Sequence, residues 1–221
     1  MVASNPGSDL SHYYDSKHDR DIVKIKPGEF FATTRPFIIA TVLGSCVAAC
    51  IRDPIRGTAG MNHFMLPEHG ESGGAPPAGS ALRYGSHAME ALINEFIKNG
   101  SQRRDLEAKI FGGAAVVDVI SAKIGAENAA FVVDYLKREG IRTTGTCLGG
   151  FAPRRVLFFV EDGRVLVKYL RRCTNDTIER REAEYAREIA ISPLPASVEL
   201  FYKNLSGAGE RRFDRDGQQR L

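Results

Sequence analysis

The sequence predicts an α+β fold, with strands and helices layered on one another instead of alternating along a regular parallel sheet. Three observations predict it. Short apolar runs of strand length arrive in a cluster: "FIIAT" (Phe37 to Thr41), "VAACI" (Val47 to Ile51) and "TAGMNHFML" (Thr58 to Leu66). Two later stretches repeat their apolar residues at helical spacing. A final strand pair is signalled by the Asp162-Gly163 turn in "RRVLFFVEDGRVLVKYL".

Taken in order, residues 1–21 are rich in Ser, Asp, His and Tyr without periodicity, which predicts a disordered N-terminal tail. Order is expected to begin at "DIVKIKPGEFFAT", with a strand over Ile22 to Lys26 and a turn at Pro27-Gly28. The runs at 37–41 and 47–51 read as two buried strands joined or bent at Gly44-Ser45. Asp53-Pro54 marks the turn after them, and the third run ends at Pro67. "PEHGESGGAPPAGS" is too rich in Gly and Pro for regular structure, and a loop of that length is often functional. Leu82, Met89, Leu92, Ile93 and Phe96 then recur at three- and four-residue steps, predicting a helix closed by Gly100. "LEAKIFGGAAVV" reads as a strand running into Gly112-Gly113. "IGAENAAFVVDYLKREG" reads as a second helix, with Phe131, Tyr135 and Leu136 on one face and Gly140 at its C-terminal cap. "IRTTGTC" returns as a strand before the hairpin. From Arg171 the composition becomes charged. A helix bearing Ile178, Tyr185 and Ile189 is expected there, followed by disorder, and neither part shows a catalytic pattern. The predicted organisation is a tail (1–21), one domain (22–170) and a charged C-terminal extension (171–221).

Composition narrows the function classes. Thirty Lys and Arg against 27 Asp and Glu leave a net charge of only +3, with no basic block interleaved with aromatics, so nucleic acid is not an expected partner. No apolar run reaches about 18 residues, and the first residues lack the pattern of a secretory leader, so a cytoplasmic protein without membrane insertion is expected. In that compartment Cys46, Cys50, Cys147 and Cys173 are expected as thiols. None forms a C-x-x-C pair, and metal binding is not expected.

Chemistry concentrates at one place. Cys46 directly follows Gly44-Ser45, and His63 stands seventeen residues on, in an otherwise apolar run. A thiol with its ordinary pKa of about 8.5 is a poor nucleophile at neutral pH, and an adjacent imidazole can take its proton. Backbone amides around Gly44 and Ser45 can approach a substrate closely and hold an oxyanion, because glycine leaves room there. The same residues also fit a core role, with Cys46 as a small hydrophobe and His63 satisfied by backbone groups. A redox pair of Cys46 with Cys50 fits poorly, since positions four apart on an extended strand are too distant for a disulfide.

"TVLGSCVAACIRDP" followed by "GMNHFMLP" resembles the CheD family, the chemoreceptor glutamine deamidases of bacterial chemotaxis. "KIFGGAAV", "IGAEN" and "LGGFAPRRVLF" extend the likeness in the same order, from about "KPGEFFAT" to "GRVLVKYL". The resemblance implies a three-layer α/β/β sandwich, a CheD-like cysteine hydrolase, with a Cys-His-Thr constellation on Cys46, His63 and Thr41. In some members the threonine stands six residues before the cysteine, which is Ala40 here. Thr41 takes the role with a one-residue shortening of the loop. Where many members carry an acidic residue ahead of the paired glycines, this chain has Cys147 in "TCLGG". The resemblance further implies deamidation of glutamine in methyl-accepting chemotaxis receptors, without a cofactor. Its alternative is a regulatory binding module that pairs with a CheC-type phosphatase.

Overall fold

The pleated and helical periodicities of the sequence resolve into two stacked sheets with a helical layer on one of them. The computed structural model describes residues 2–4, 10–66, 80–116, 119–170 and 177–191. In chain order the elements are β1 (Val2–Ser4), β2 (Ser11–Asp15), β3 (Arg20–Lys24), β4 (Phe30–Thr33), β5 (Ile38–Leu43), β6 (Val47–Asp53), β7 (Thr58–Asn62), α1 (Ser80–Lys98), β8 (Glu107–Gly112), α2 (Val119–Arg138), β9 (Arg142–Leu148), β10 (Arg154–Phe159), β11 (Val165–Tyr169) and α3 (Thr177–Ile191). Among the described residues one sheet runs β1-β4-β7-β6-β8-β9 and the other β11-β10-β5-β3-β2. Pairing is antiparallel except for β8 with β9, joined by the α2 crossover, and β3 with β5. This is the expected α+β, three-layer α/β/β sandwich.

The middle layer explains why "VAACI" is apolar without interruption. Successive side chains of β6 alternate between faces, and both faces are covered. Val47, Ala49 and Ile51 pack with Met89, Leu92, Ile93 and Phe96 of α1 and with Val132 and Leu136 of α2. Cys46, Ala48 and Cys50 face the other way, toward Ile39 and Leu43 of β5 and Val156 and Phe158 of β10. Each large apolar side chain so buried contributes roughly 1.5–3 kcal/mol. The first sheet therefore carries the cysteine strand between two apolar layers.

Two segments differ from expectation. Residues 11–15, expected within a disordered tail, form β2, which pairs antiparallel with β3 from Ser11↔Lys24 to Asp15↔Arg20. The strand escapes a hydrophobicity reading because Ser11 to Tyr14 are exposed, so the backbone ladder and not a buried stripe holds it. The charged extension likewise does not stand apart from the domain, because Tyr185 and Ile189 of α3 are buried in the core between the sheets. Pro67 to Gly79 of the Gly- and Pro-rich loop, Cys173 and residues 192–221 lie outside the described residues.

Candidate active site

The sequence "LGSC" leaves β5 in one sheet and enters β6 in the other, so the turn must cross between layers within three residues. Its carbonyls are all tied to the protein. The N–H of Ala114 donates to Gly44 O at 2.8 Å, and that of Gly113 to Cys46 O at 2.8 Å. Asn128 Nδ2 donates to Ser45 O at 2.9 Å. Gly112 makes this possible: its φ is +114°, and a Cβ there would lie 2.1 Å from Cys46 O. With the carbonyls fixed on one side, the amides of Gly44, Ser45 and Cys46 point together to the other. Successive N–H groups arranged this way form an anion-binding nest.

The nest is filled. The carboxylate of Glu182, on α3, accepts from Gly44 N at 2.9 Å, Ser45 N at 3.0 Å and Cys46 N at 3.2 Å, and from Ser45 Oγ at 2.7 Å. A Cβ at position 44 would come within 2.9 Å of both carboxylate oxygens, so glycine is what admits the anion. The thiol of Cys46 is fully buried, and burial together with the Glu182 carboxylate beside it pushes its pKa well above the ordinary cysteine value.

His63 follows β7 and is held from its own backbone: its N–H donates to Glu29 O at 2.9 Å, and its C=O accepts from Gly28 N at 2.7 Å. The next residue, Phe64, exchanges two 2.9 Å hydrogen bonds with Val47. Cys46 and His63 therefore flank a bridged pair as diagonal neighbours on the face toward the second sheet, with no hydrogen bond from the thiol to Nε2 of the imidazole. From that second sheet Thr41 of β5 meets the imidazole, with Oγ1 2.8 Å from Nδ1. The direction of this bond follows from a second one. Thr41 Oγ1 donates its only hydrogen to Ile25 O at 2.9 Å, so it must accept from Nδ1–H. That fixes the tautomer with a bare Nε2, which is buried and has no hydrogen-bond partner. Burial lowers the His63 pKa from 6.5 to about 3, so the ring is a neutral base.

Of the five residues singled out in the sequence, Thr41 and His63 are hydrogen-bonded to each other, and Gly44, Ser45 and Cys46 form the nest one bridged pair away. Glu182 and Asn128 were not singled out. Asn128 stood in "IGAEN", but no local pattern tells that its amide spans Ser45 O and Leu66 N. Glu182 is one of several acidic residues on a charged helix, and its contact at a separation of more than 130 residues has no sequence signal. Cys50 lies deeper on the same face of β6; its thiol is pushed up by burial. Cys147 accepts from Arg154 through its carbonyl at 2.5 Å. Among the described residues no three His, Cys, Asp or Glu side chains converge as a metal-binding group.

Comparison with known proteins adds the following. The profile of the family described as "CheD chemotactic sensory transduction" matches residues 65–169. A protein of Herminiimonas arsenicoxydans named "Probable chemoreceptor glutamine deamidase CheD" is 48% identical over 190 residues, covering 86% of this chain and 93% of its own. A protein of the same name from Methylobacillus flagellatus is 48% identical over 190 residues, covering 86% and 94%. One from Burkholderia vietnamiensis is 49% identical over 195 residues, covering 86% and 78%. Among solved structures, the Bacillus licheniformis hypothetical protein YfiH aligns over 52% of this chain and 50% of its own, with a TM-score of 0.32 and 19% identity. At that level the likeness does not bear on the chemistry.

Proposed function

The chain belongs to the CheD family, and from that premise we propose that it is a chemoreceptor glutamine deamidase, an amidohydrolase acting through Cys46, His63 and Thr41. The observation that carries the mechanism is the set of three consecutive amides, Gly44 to Cys46, converging on a side-chain carboxylate beside the thiol. A site that holds a carboxylate there also suits the oxyanion formed when a side-chain amide is attacked.

The reaction follows from the groups present. Nε2 of His63 takes the Cys46 proton, and the thiolate attacks the carboxamide carbon of glutamine, forming a C–S bond as the carbonyl electrons move onto oxygen. The nest amides stabilise that oxyanion. The imidazolium, held by Nδ1–H to Thr41 Oγ1, returns the proton to the departing nitrogen, and ammonia leaves as the thioester forms. Water, deprotonated by His63, attacks the thioester; the C–S bond breaks, Cys46 recovers a proton, and glutamate is the product. Burial raises the thiol and lowers the imidazole, and the Glu182 carboxylate adds to the first, so the proton transfer is unfavourable in the closed site. A neutral carboxamide in that place removes the repulsion between thiolate and carboxylate.

The reading puts the protein in the cytoplasm, working on the cytoplasmic helices of receptors. No described helix is long and apolar enough to cross a membrane. The test is intact mass spectrometry of a chemoreceptor cytoplasmic fragment incubated with the wild-type chain or with Cys46→Ala. Wild type is expected to add about 1 Da per converted glutamine, as amide becomes acid through the thiol, and Cys46→Ala to add nothing. Equal conversion by both proteins overturns the mechanism. No conversion by either leaves the binding module that pairs with a CheC-type phosphatase as the reading to pursue.

A further inference from the structure

The occupant of the nest is itself a glutamate side chain presented by a helix, which is the chemical form of the product. Resting on the deamidase reading, we propose that α3 sits in the substrate's seat, with Glu182 as a tethered product analogue, so that a receptor helix must displace it before turnover.

Three observations carry this. First, the contacts of Glu182 are with the reacting site and not with a neutral stretch of surface: one oxygen takes Gly44 N and Cys46 N, and the other takes Ser45 N and Oγ. A residue that merely anchored a helix has no need of the nucleophile's own amide. Second, the helix is seated by a regular stripe. Tyr185 and Ile189, three and seven positions after Glu182, are buried, while Arg181, Glu184, Arg187 and Glu188 are exposed. Tyr185 meets Tyr84 of α1 edge-on, with ring centroids 6.5 Å apart, and the two hydroxyls are hydrogen-bonded. This is recognition of an amphipathic helix by anchors at i, i+3 and i+7. Third, the site is shut in this state: Cys46 is 0% exposed and His63 2% exposed, so no external amide reaches either one while α3 is in place.

The chemistry supplies a direct test, because Glu182→Gln turns the tethered product into a tethered substrate. Its amide would pass through the same steps: C–S bond formation with Cys46, loss of ammonia, hydrolysis by one water, and restoration of Glu182. Full-length Glu182→Gln, and the same change in a Cys46→Ala background, are analysed by intact mass and peptide mapping, both as isolated and after incubation at several protein concentrations. The expected result is conversion of residue 182 to glutamate, about 1 Da heavier, only when Cys46 is present and at a rate independent of concentration. Conversion in both backgrounds would be spontaneous and would overturn the proposal. Persistence of the introduced amide in a variant that still deamidates the receptor fragment would also overturn it, while leaving the deamidase reading intact. Persistence of that amide with no receptor conversion by wild type or variant would remove both.

Discussion

At the residue scale the decisive group is the Thr41 hydroxyl, because its two hydrogen bonds dictate which nitrogen of His63 is bare. Thr41→Val keeps the shape but removes the acceptor for Nδ1–H, freeing the ring to turn or change tautomer. The expected outcome in receptor-fragment kinetics is a fall in kcat of about 10²-fold, the scale of a misoriented reacting group. KM should hold, and Thr41→Ser should restore most of the rate; equal activity of Thr41→Val would remove the orienting role. Cys46 and His63 drew attention in the sequence as a thiol after Gly44-Ser45 and a lone histidine in an apolar run, and the family likeness is what joined them as a pair. Thr41 was legible only through the family likeness, since a buried threonine in "FIIAT" looks like any strand residue. Glu182 was illegible, because a carboxylate's partner is set by where a helix docks and not by its neighbours in the chain.

At the scale of elements, the Gly44–Cys46 turn is shaped by what grips its carbonyls: the segment after β8 through Gly113 and Ala114, and α2 through Asn128. Asn128 is fully buried and bridges Ser45 O to Leu66 N. Asn128→Ala leaves both groups buried without that partner, at about 1–3 kcal/mol. A lowered urea midpoint is expected, together with a fall in deamidation larger than the unfolded fraction explains, because the Ser45 amide loses its aim. Destabilisation with unchanged turnover of the folded fraction would separate the turn from the chemistry. The strands and helices themselves were readable from periodicity, as β6 and α1 illustrate. β2 was not, because an exposed edge strand has backbone pairing without an apolar stripe.

At the scale of the whole molecule, burial of a neutral His63 couples stability to pH. Its pKa is about 3 folded against 6.5 unfolded, so between these values the unfolded chain binds the extra proton. Stability is therefore greatest above 6.5 on this account. It falls on acidification by up to about 1.4 kcal/mol per pH unit until the folded group also titrates. Asp53 acts separately: burial opposes its ionised form, but the Ser101 hydroxyl and the amides of Arg56 and Ile55 hold it below 3.8, so its contribution is lost only below that value. Urea midpoints at about pH 7 and about pH 5, on either side of the unfolded histidine's titration, should diverge in wild type and draw together in His63→Gln; parallel shifts would mean that another group carries the acid sensitivity. The Thr41–His63 bond has one more consequence, for a chain still being made. The base sits in one sheet and its guide in the other, so a nascent chain with only the cysteine-bearing sheet assembled holds a thiol with no aimed imidazole. The orientation of that ring is thus a product of the docked sandwich, and neither sheet carries it alone.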